Sequence, residues 1–380
     1  METSRQLVAF GHEVTILTGA KDAPGKAVVD GVTVISIDLW GTMRHTWRGA
    51  NLSLPRQILF PLAVLFNTSG NLKDFDVYHG HIYSSGIVAK YLAYRHSKVA
   101  VNTIHGSYYP LWHELTDPFT ATFYRTAEHI LAPLLAKMSH LQVHTGDYFA
   151  RQVLAWGAPV EKVVTIHNGV DITAFNPGAT GLISTEDMQH IQDISVPVIL
   201  TARRLVKKNG VDYLIRAIGH VLKKERCRLI IVGDGDELPY LERLACDLNI
   251  EKHVHFTGFI RHEELASYLA LADIAVVPSL IEASSLFMLE AMAMEKAVIA
   301  TNTGGLPEVL DPSAGMLVEP RDEEGLANAI LELLRDKEKR GRLGRNARLQ
   351  AEKKHSWEAV TQRIEAEYQR LLEDRRIGKT

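Results

Sequence analysis

Short runs of β-branched and other apolar residues recur along the whole chain, and stretches with helical periodicity follow several of them. This alternation constrains the fold more than any other feature, because parallel strands need a crossover between them and a helix is the usual one. In the first half "HEVTIL", "VTVISI", "DVYHGH", "VAVNTI", "HLQVHT" and "VVTIHN" read as strands. In the second half "VPVILTA", "RLIIVGDG", "HVHFTGF", "DIAVVP", "AVIAT" and "GMLVE" do the same, with amphipathic segments such as "VDYLIRAIGHVLKKE" between them. The pattern predicts an α/β chain with two doubly wound parallel sheets.

The length of 380 residues exceeds what one core usually serves, which agrees with two domains. Between the two sets of strands, "NGVDITAFNPGATGLISTEDMQH" is rich in glycine, proline and polar residues without a sustained period. The boundary is placed near Gly178 to Glu186, giving domains over residues 1–180 and 181–355 and a terminal helical segment over 356–380. Lys and Arg number 42 against 45 Asp and Glu, so no general excess of positive charge points to nucleic acid. Cys227 and Cys246 lack metal-ligand spacing and read as small buried apolar residues, which fits a reducing cytoplasm. The most apolar run, "ILFPLAVLF" from Ile58 to Phe66, contains a proline and falls well short of the ~18 residues that span a bilayer. It reads as a buried helix of the first domain, with contact at a membrane surface as the alternative.

Function is most legible in "PSLIEASSLFMLEAMA", Pro278 to Ala293, where Glu282 follows the strand "DIAVVP" and a helical stretch carries Glu290. In parallel sheets ligands settle beyond the carboxyl ends of strands, so Glu282 sits in the right crevice. Ser284 and Ser285 stand near the helix start, where free N–H groups and the positive end of the dipole attract an anion such as phosphate. At ~1.5 Å per residue the two glutamates lie up to ~12 Å apart along the axis. Paired glycosidase carboxylates stand ~5–9.5 Å apart, so these two are poorly placed for acid–base work on one bond. They suit a long ligand with hydroxyls at both ends and phosphate between, which is the layout of a nucleotide sugar.

The longer stretch "PSLIEASSLFMLEAMAMEKAVIATNTGGLPEVL" resembles the donor-binding signature of the retaining glycosyltransferase family 4, whose members have the two-domain GT-B fold. The resemblance continues in order through "GHEVTILTG", "IHNGVDITAFNP", "RRLVKKNGVDYLIRA", "IIVGDGDELPYLERLA", "VHFTGFIRHEELASYLALADIAVVPS" and "HSWEAVTQRIEAEYQRLL". It implies that Glu282 faces the transferred sugar, that Glu290 takes the ribose hydroxyls, and that amides near Ser285 and Leu286 face the phosphates. Phe259 is carried over as a further donor contact. Where the family often has Phe-Gly, this chain has Ser284-Ser285; the hydroxyls can add donors but narrow the backbone conformations. The last helix, with Trp357, Val360, Ile364, Tyr368 and Leu371 at helical spacing, is implied to cross back to the first domain.

In "ARRLVKKNG" the family usually has an arginine and, five positions later, a lysine. Arg204 matches, but the later position is Asn209, with Lys208 one residue before it. The diphosphate role is carried to Arg204 and Lys208, against the alternative of a solvated basic turn. "VGDGDE" has Gly233 and Gly235 after a strand but lacks the third glycine of a dinucleotide fingerprint, and reads as a tight turn near the nucleotide. Gly304 and Gly305 end the strand "AVIAT", where missing side chains allow close approach of backbone to a ligand. His105, ending the strand "VAVNTI", is the expected first-domain catalytic contributor by resemblance, at the cleft between the domains. His79 and His81 could pair on a metal, but no third ligand is evident and family members generally need none.

The opening "METSRQLVAFGHEVTILTG" starts in mid-helix, with Gly11 as its cap, whereas family members begin earlier with a strand and a glycine-rich loop. The expectation is a fragment or late start, or a relative that only binds. The expected activity is transfer of a sugar, with retention, from a nucleoside diphosphate sugar to a glycan or lipid-linked acceptor, without metal or other cofactor. A non-catalytic nucleotide-sugar binding relative and a nucleotide-sugar epimerase are the alternatives. The expected location is the cytoplasm, with the inner face of the membrane as a peripheral alternative.

Overall fold

The structure is a computed structural model and describes residues 1–19, 25–37, 64, 72, 74–107, 109–178 and 196–378. The chain forms two compact units. The first comprises Met1–Ser107, Tyr124–Ile166 and Val360–Thr380, and the second Tyr108–Phe123 and His167–Ala359. Residues 167–178 therefore go with the second unit, ahead of the boundary read from composition. Val170 N donates to His355 O at 2.7 Å, and Arg348 Nη1 donates to the Phe175 carbonyl at 2.8 Å.

In the first unit, strands β1 (Thr15–Gly19), β2 (Gly25–Val29) and β3 (Val32–Ile37) form one sheet in the order β1-β3-β2. Strand β2 was not expected. It pairs antiparallel with β3 across Asp30 and Gly31, whose φ values of 50° and 77° suit the two-residue turn that a right-twisted hairpin selects. The Asp-Gly step is the sequence signal for this hairpin. A second sheet runs β4 (Val77–His81), β5 (Val99–Ile104), β6 (Leu141–His144) and β7 (Val163–Thr165), all parallel. Among the described residues β1 pairs only with β3, and β4 only with β5.

The last helix, Trp357–Arg376, joins the first unit from Val360 onward. Glu365 meets His12 at 2.8 Å, Tyr368 hydrogen-bonds His79, and Arg375 donates to Lys98 O at 2.8 Å. Its Val360, Ile364 and Leu371 are buried, so the apolar stripe of the sequence has found a packing surface.

The second unit carries β8 (Val198–Ala202), β9 (Arg228–Val232), β10 (Val254–Gly258), β11 (Ile274–Val277), β12 (Ala297–Thr301) and β13 (Gly315–Val318). All are parallel, in the order β10-β9-β8-β11-β12-β13. Alternate residues feed two cores: Val198 and Leu200 join one on the first face, and Ile199 joins the other. A sheet covered on both faces explains why its strands are continuous apolar runs. The chain winds outward from β8 through β9 and β10, then returns to start again at β11. The switch point, where a crevice opens, thus lies between the carboxyl ends of β8 and β11.

Cys227 is buried and its thiol is pushed up to about 12 by burial, but Cys246 is exposed, contrary to expectation. Of the run Ile58–Phe66 only Val64 lies among the described residues, and it is buried; the rest, like most of the stretch assigned as linker, falls outside them. Among the described residues no helix is long and apolar enough to cross a membrane.

Candidate functional site

Three loops of the second unit interlock at the switch point. Leu280 N, after β11, donates to Lys208 O, after β8, at 2.8 Å. The loop after β12 grips the same segment: Thr301 Oγ1 donates to Ser279 O at 2.6 Å, Thr303 Oγ1 to Leu280 O at 3.1 Å, and Gly305 N to Glu282 O at 2.8 Å. The glycines singled out in the sequence make this contact geometrically feasible. A Cβ on Gly304, whose φ is +56°, would lie 2.0 Å from Glu282 O, and one on Gly305 would lie 2.0 Å from Ala283 O. A Cβ on Gly233 would meet Arg203 O at 2.0 Å and one on Gly235 would meet Leu205 O at 2.2 Å. On their Cα side, then, these four glycines admit neighbouring backbone and so place the Glu282 and Arg203 loops.

The two arginines that follow β8 differ in burial. Arg204 is exposed, and its carbonyl accepts from Asn209 Nδ2 at 2.6 Å. Its neighbour Arg203, which the sequence reading passed over, is the one turned inward. The Arg203 side chain is 6% exposed and its Nη2 stands 3.4 Å from Glu282 Oε2. Burial lowers the pKa of Arg203 and the Glu282 carboxylate opposes that shift. Lys208 is half-buried; burial lowers its pKa, Glu282 raises it, and Arg203 and Arg204 lower it. Glu282 thus shares its field with Arg203 and Lys208.

Several buried polar atoms in this region have no protein partner: Thr201 Oγ1, Arg203 Nε, Asn209 Oδ1, Ser279 Oγ and Ser284 Oγ. Thr201 lies near the end of β8, and the other four belong to the segments that follow β8 and β11. Folded proteins pair the great majority of buried polar groups, so these five leave the switch point with spare donors and acceptors that water or a polar ligand could take.

The helix Leu286–Ala293 starts at the same place. Ser285 is its N-cap, its hydroxyl oxygen accepting from Met288 N at 3.2 Å, so one lone pair of that hydroxyl serves the helix. Leu286 is half-exposed on the first turn. Glu290, further along, is buried and accepts from the His262 ring Nε2 at 2.7 Å. His262 also packs on Phe175, with ring centroids 5.3 Å apart. Sequence reasoning missed His262, since nothing local links two residues that only the fold brings together. Phe259 stands 81% exposed after β10.

In the first unit His105 follows the carboxyl end of β5 and His81 ends β4. Their rings meet edge to edge, nearly coplanar at 9° with centroids 5.2 Å apart, and His81 Nδ1 lies 2.9 Å from His105 Nε2. His79 stacks on His81, with centroids 4.8 Å apart, and its own nitrogens bond Thr103 and Tyr368. Burial lowers all three pKa values, that of His81 to about 4 with help from His105. The turn after His81 is strained: Ile82 has φ 63°, rare for a β-branched residue. Asn102, with its amide nitrogen assigned toward β4, donates to Gly80 O and Ile82 O and holds that turn. Among the described residues no group of three or more His, Cys, Asp or Glu is arranged to hold a metal ion.

Known proteins share this plan. Residues 185–350 match the family model described as glycosyl transferases group 1, and residues 1–174 match that of glycosyltransferase family 4. An uncharacterized glycosyltransferase of Methanocaldococcus jannaschii is 26% identical over 97% of this chain and 92% of its own length. A D-inositol 3-phosphate glycosyltransferase of Corynebacterium aurimucosum is 28% identical over 97% of this chain and 89% of its own. Among solved structures, a sucrose-phosphate synthase of Thermosynechococcus elongatus superposes with a TM-score of 0.82 at 22% identity, over 98% of this chain and 92% of that one. Two models that between them account for nearly all of the chain, in the order that the two-domain fold demands, make this protein a family 4, group 1 glycosyltransferase with the GT-B fold.

Proposed function

We propose that the protein transfers a sugar, with retention of configuration, from a nucleoside diphosphate sugar to a hydroxyl of a glycan or lipid-linked acceptor. The observation that carries this reading is the set of orphaned buried polar atoms at the β8–β11 switch point, in the same segments that carry Glu282 and lead into the Ser285-capped helix with Glu290. A diphosphate would meet the helix start and the cations of the β8 loop; the ribose would reach Glu290, and the sugar Glu282. Gly233, Gly235, Gly304 and Gly305 hold the loops that present these groups, and Phe259 borders the site on the β10 side.

In this reading the acceptor hydroxyl attacks the anomeric carbon on the face that the diphosphate leaves. The bond from that carbon to the phosphate oxygen breaks as the new glycosidic bond forms, and the departing phosphate oxygen takes the acceptor's proton. Arg204 and Lys208 stabilise the charge developing on the leaving group. His105, neutral at physiological pH because burial lowers its pKa, contributes a hydrogen-bonding nitrogen on the acceptor side. Membership in the family supports the transfer itself.

The test is an assay of nucleoside diphosphate release from UDP- and GDP-sugars, with and without candidate polyol acceptors, with NMR assignment of the product anomer. Acceptor-dependent release with the donor's anomeric configuration kept is the expected result. Release of an altered free sugar without acceptor would mean epimerisation, binding without release would mean a non-catalytic role, and an inverted product would exclude the same-face mechanism.

A further inference from the structure

Basic side chains from distant segments of the first unit gather at the amino ends of β5 and β6, whereas His105 follows the carboxyl end of β5. Arg375, near the close of the last helix, donates through Nη1 to Lys98 O at 2.8 Å, one residue ahead of β5. Lys162, just ahead of β7, donates through Nζ to the carbonyls of Lys137 and Ser139 at 3.0 and 3.1 Å, where the helix Pro118–Met138 ends. Beside these anchors His140 Nδ1 accepts from Ala100 N at 2.9 Å. The ring is therefore neutral with its proton on Nε2, a donor from which no described residue accepts. Lys90, on the helix Ile82–His96, is half-buried and has no hydrogen bond or ion pair with any described residue. It lies close enough to feel the others: burial, then Lys162 and Arg375, lower its pKa, and burial, then Lys90, Arg375 and Lys162, lower that of His140 to about 4. No carboxylate offsets either shift. The acids beside Arg375 in sequence are engaged elsewhere, Asp374 with Arg370 and Glu373 with Arg376, each at 3.3 Å, and Asp76 holds Lys98 at 2.8 Å.

Capping of helix-end carbonyls accounts for contacts of Lys162 and Arg375, but it leaves most of their N–H groups unspent and gives no reason for Lys90. Three like charges gathered without an acid repel one another, and a bound anion relieves that repulsion. A carboxylate brings a single charge. A phosphate monoester brings up to two and three strong acceptor oxygens, which suits three cations and an imidazole N–H. We propose that Lys90, His140, Lys162 and Arg375 form a phosphate-binding site of the first unit, separate from the groups at the carboxyl ends of its strands. A phosphate held there ties the helix Ile82–His96 and the segments ahead of β6 and β7 to the end of the last helix, and so fastens the segment that rejoins this unit at Val360. The phosphate belongs either to a soluble ion or ester or to a lipid headgroup.

The full chain is followed by thermal unfolding and by hydrogen exchange of the Leu371–Arg376 amides while inorganic phosphate replaces chloride at constant ionic strength. Protection of these amides should rise with phosphate and saturate. Lys90→Gln and Arg375→Gln should each raise the half-saturating concentration by about tenfold or more, the loss expected of a charged hydrogen bond. Lys98→Gln, which removes a cation already paired with Asp76, should leave it unchanged. Without phosphate, Lys90→Gln should unfold at or above the wild-type Tm, because repulsion is relieved and no protein contact is lost. The site is overturned if phosphate does not protect these amides, if it protects them equally in Lys90→Gln, or if Lys98→Gln loses as much. A Tm for Lys90→Gln below that of wild type without phosphate also overturns it, since Lys90 would then be held by the protein itself. Flotation with phosphatidylcholine vesicles containing phosphatidic acid separates the two sources. Binding that Lys90→Gln abolishes assigns the phosphate to a lipid headgroup; saturable protection by inorganic phosphate without vesicle binding assigns it to a soluble one, and either keeps the site.

Discussion

Replacing Glu290 by Gln should weaken nucleoside diphosphate binding by an amount that depends on the ribose. The Glu290 side chain is 7% exposed and its Oε1 is already engaged by His262 at 2.7 Å, so its position is set before any ligand comes. A carboxylate held in this way can accept from ribose hydroxyls through its other lone pairs, and hydrogen bonds to a charged group contribute ~1.5–3 kcal/mol. At ~1.4 kcal/mol per decade this is a loss of roughly ten- to a hundredfold in Kd. Gln keeps the shape, and it keeps one oxygen for His262, so gross unfolding is not expected. The assay is titration of wild type and variant with the preferred nucleoside diphosphate and with its 2′,3′-dideoxy form. Wild type should penalise the dideoxy ligand by that factor, and the variant should lose most of the penalty, because the partner of the hydroxyls has been weakened. A variant that discriminates between the two ligands as sharply as wild type would refute the assignment of Glu290 to the ribose.

Three further outcomes are expected. Stability should fall on acidification from about pH 6.5 to 4: His79, His81, His105, His140 and His144 all have pKa values lowered by burial, those of His81, His140 and His144 to about 4. In that window the unfolded chain binds protons that the folded chain refuses, so stability rises with pH and levels off above the unfolded value; a denaturant series that is flat between pH 4 and 6.5 would contradict it. Gly304→Ala places a Cβ 2.0 Å from Glu282 O at a φ of +56°, so it should cost more than ~1 kcal/mol in urea unfolding and depress turnover by shifting the Glu282 loop; wild-type values for both would show that the loop tolerates the displacement. Amides of Thr15–Leu17 in β1, which pairs on one side only among the described residues, should exchange much faster than those of Ile274–Val277 in the buried β11, and equal protection would mean that both edges of β1 are covered.

The α/β class and all six strands of the second unit could be read before folding. Each rests on information that is local along the chain: a strand buried on both faces is a continuous apolar run, and an N-capping serine stands beside the helix it caps. The same holds for Glu282, which follows its strand directly and therefore had to lie at a carboxyl end. What escaped was the part set by contact between distant segments. Arg203 and Arg204 are adjacent and chemically identical, so no sequence argument says which turns inward; that depends on a backbone direction at the end of β8 and on Glu282, 79 positions away. Likewise His262 reaches Glu290 across 28 positions, and His81 meets His105 only because β4 and β5 are neighbours in register. The glycines were legible as special but for an incomplete reason: their missing side chains admit the carbonyls of Arg203, Leu205, Glu282 and Ala283, and only the packed loops reveal that. Residue type and spacing determine which chemistry a chain can assemble, whereas the pairing of charges and the choice among equivalent neighbours belong to the tertiary structure, because burial, which decides them, is a property of the whole packed unit.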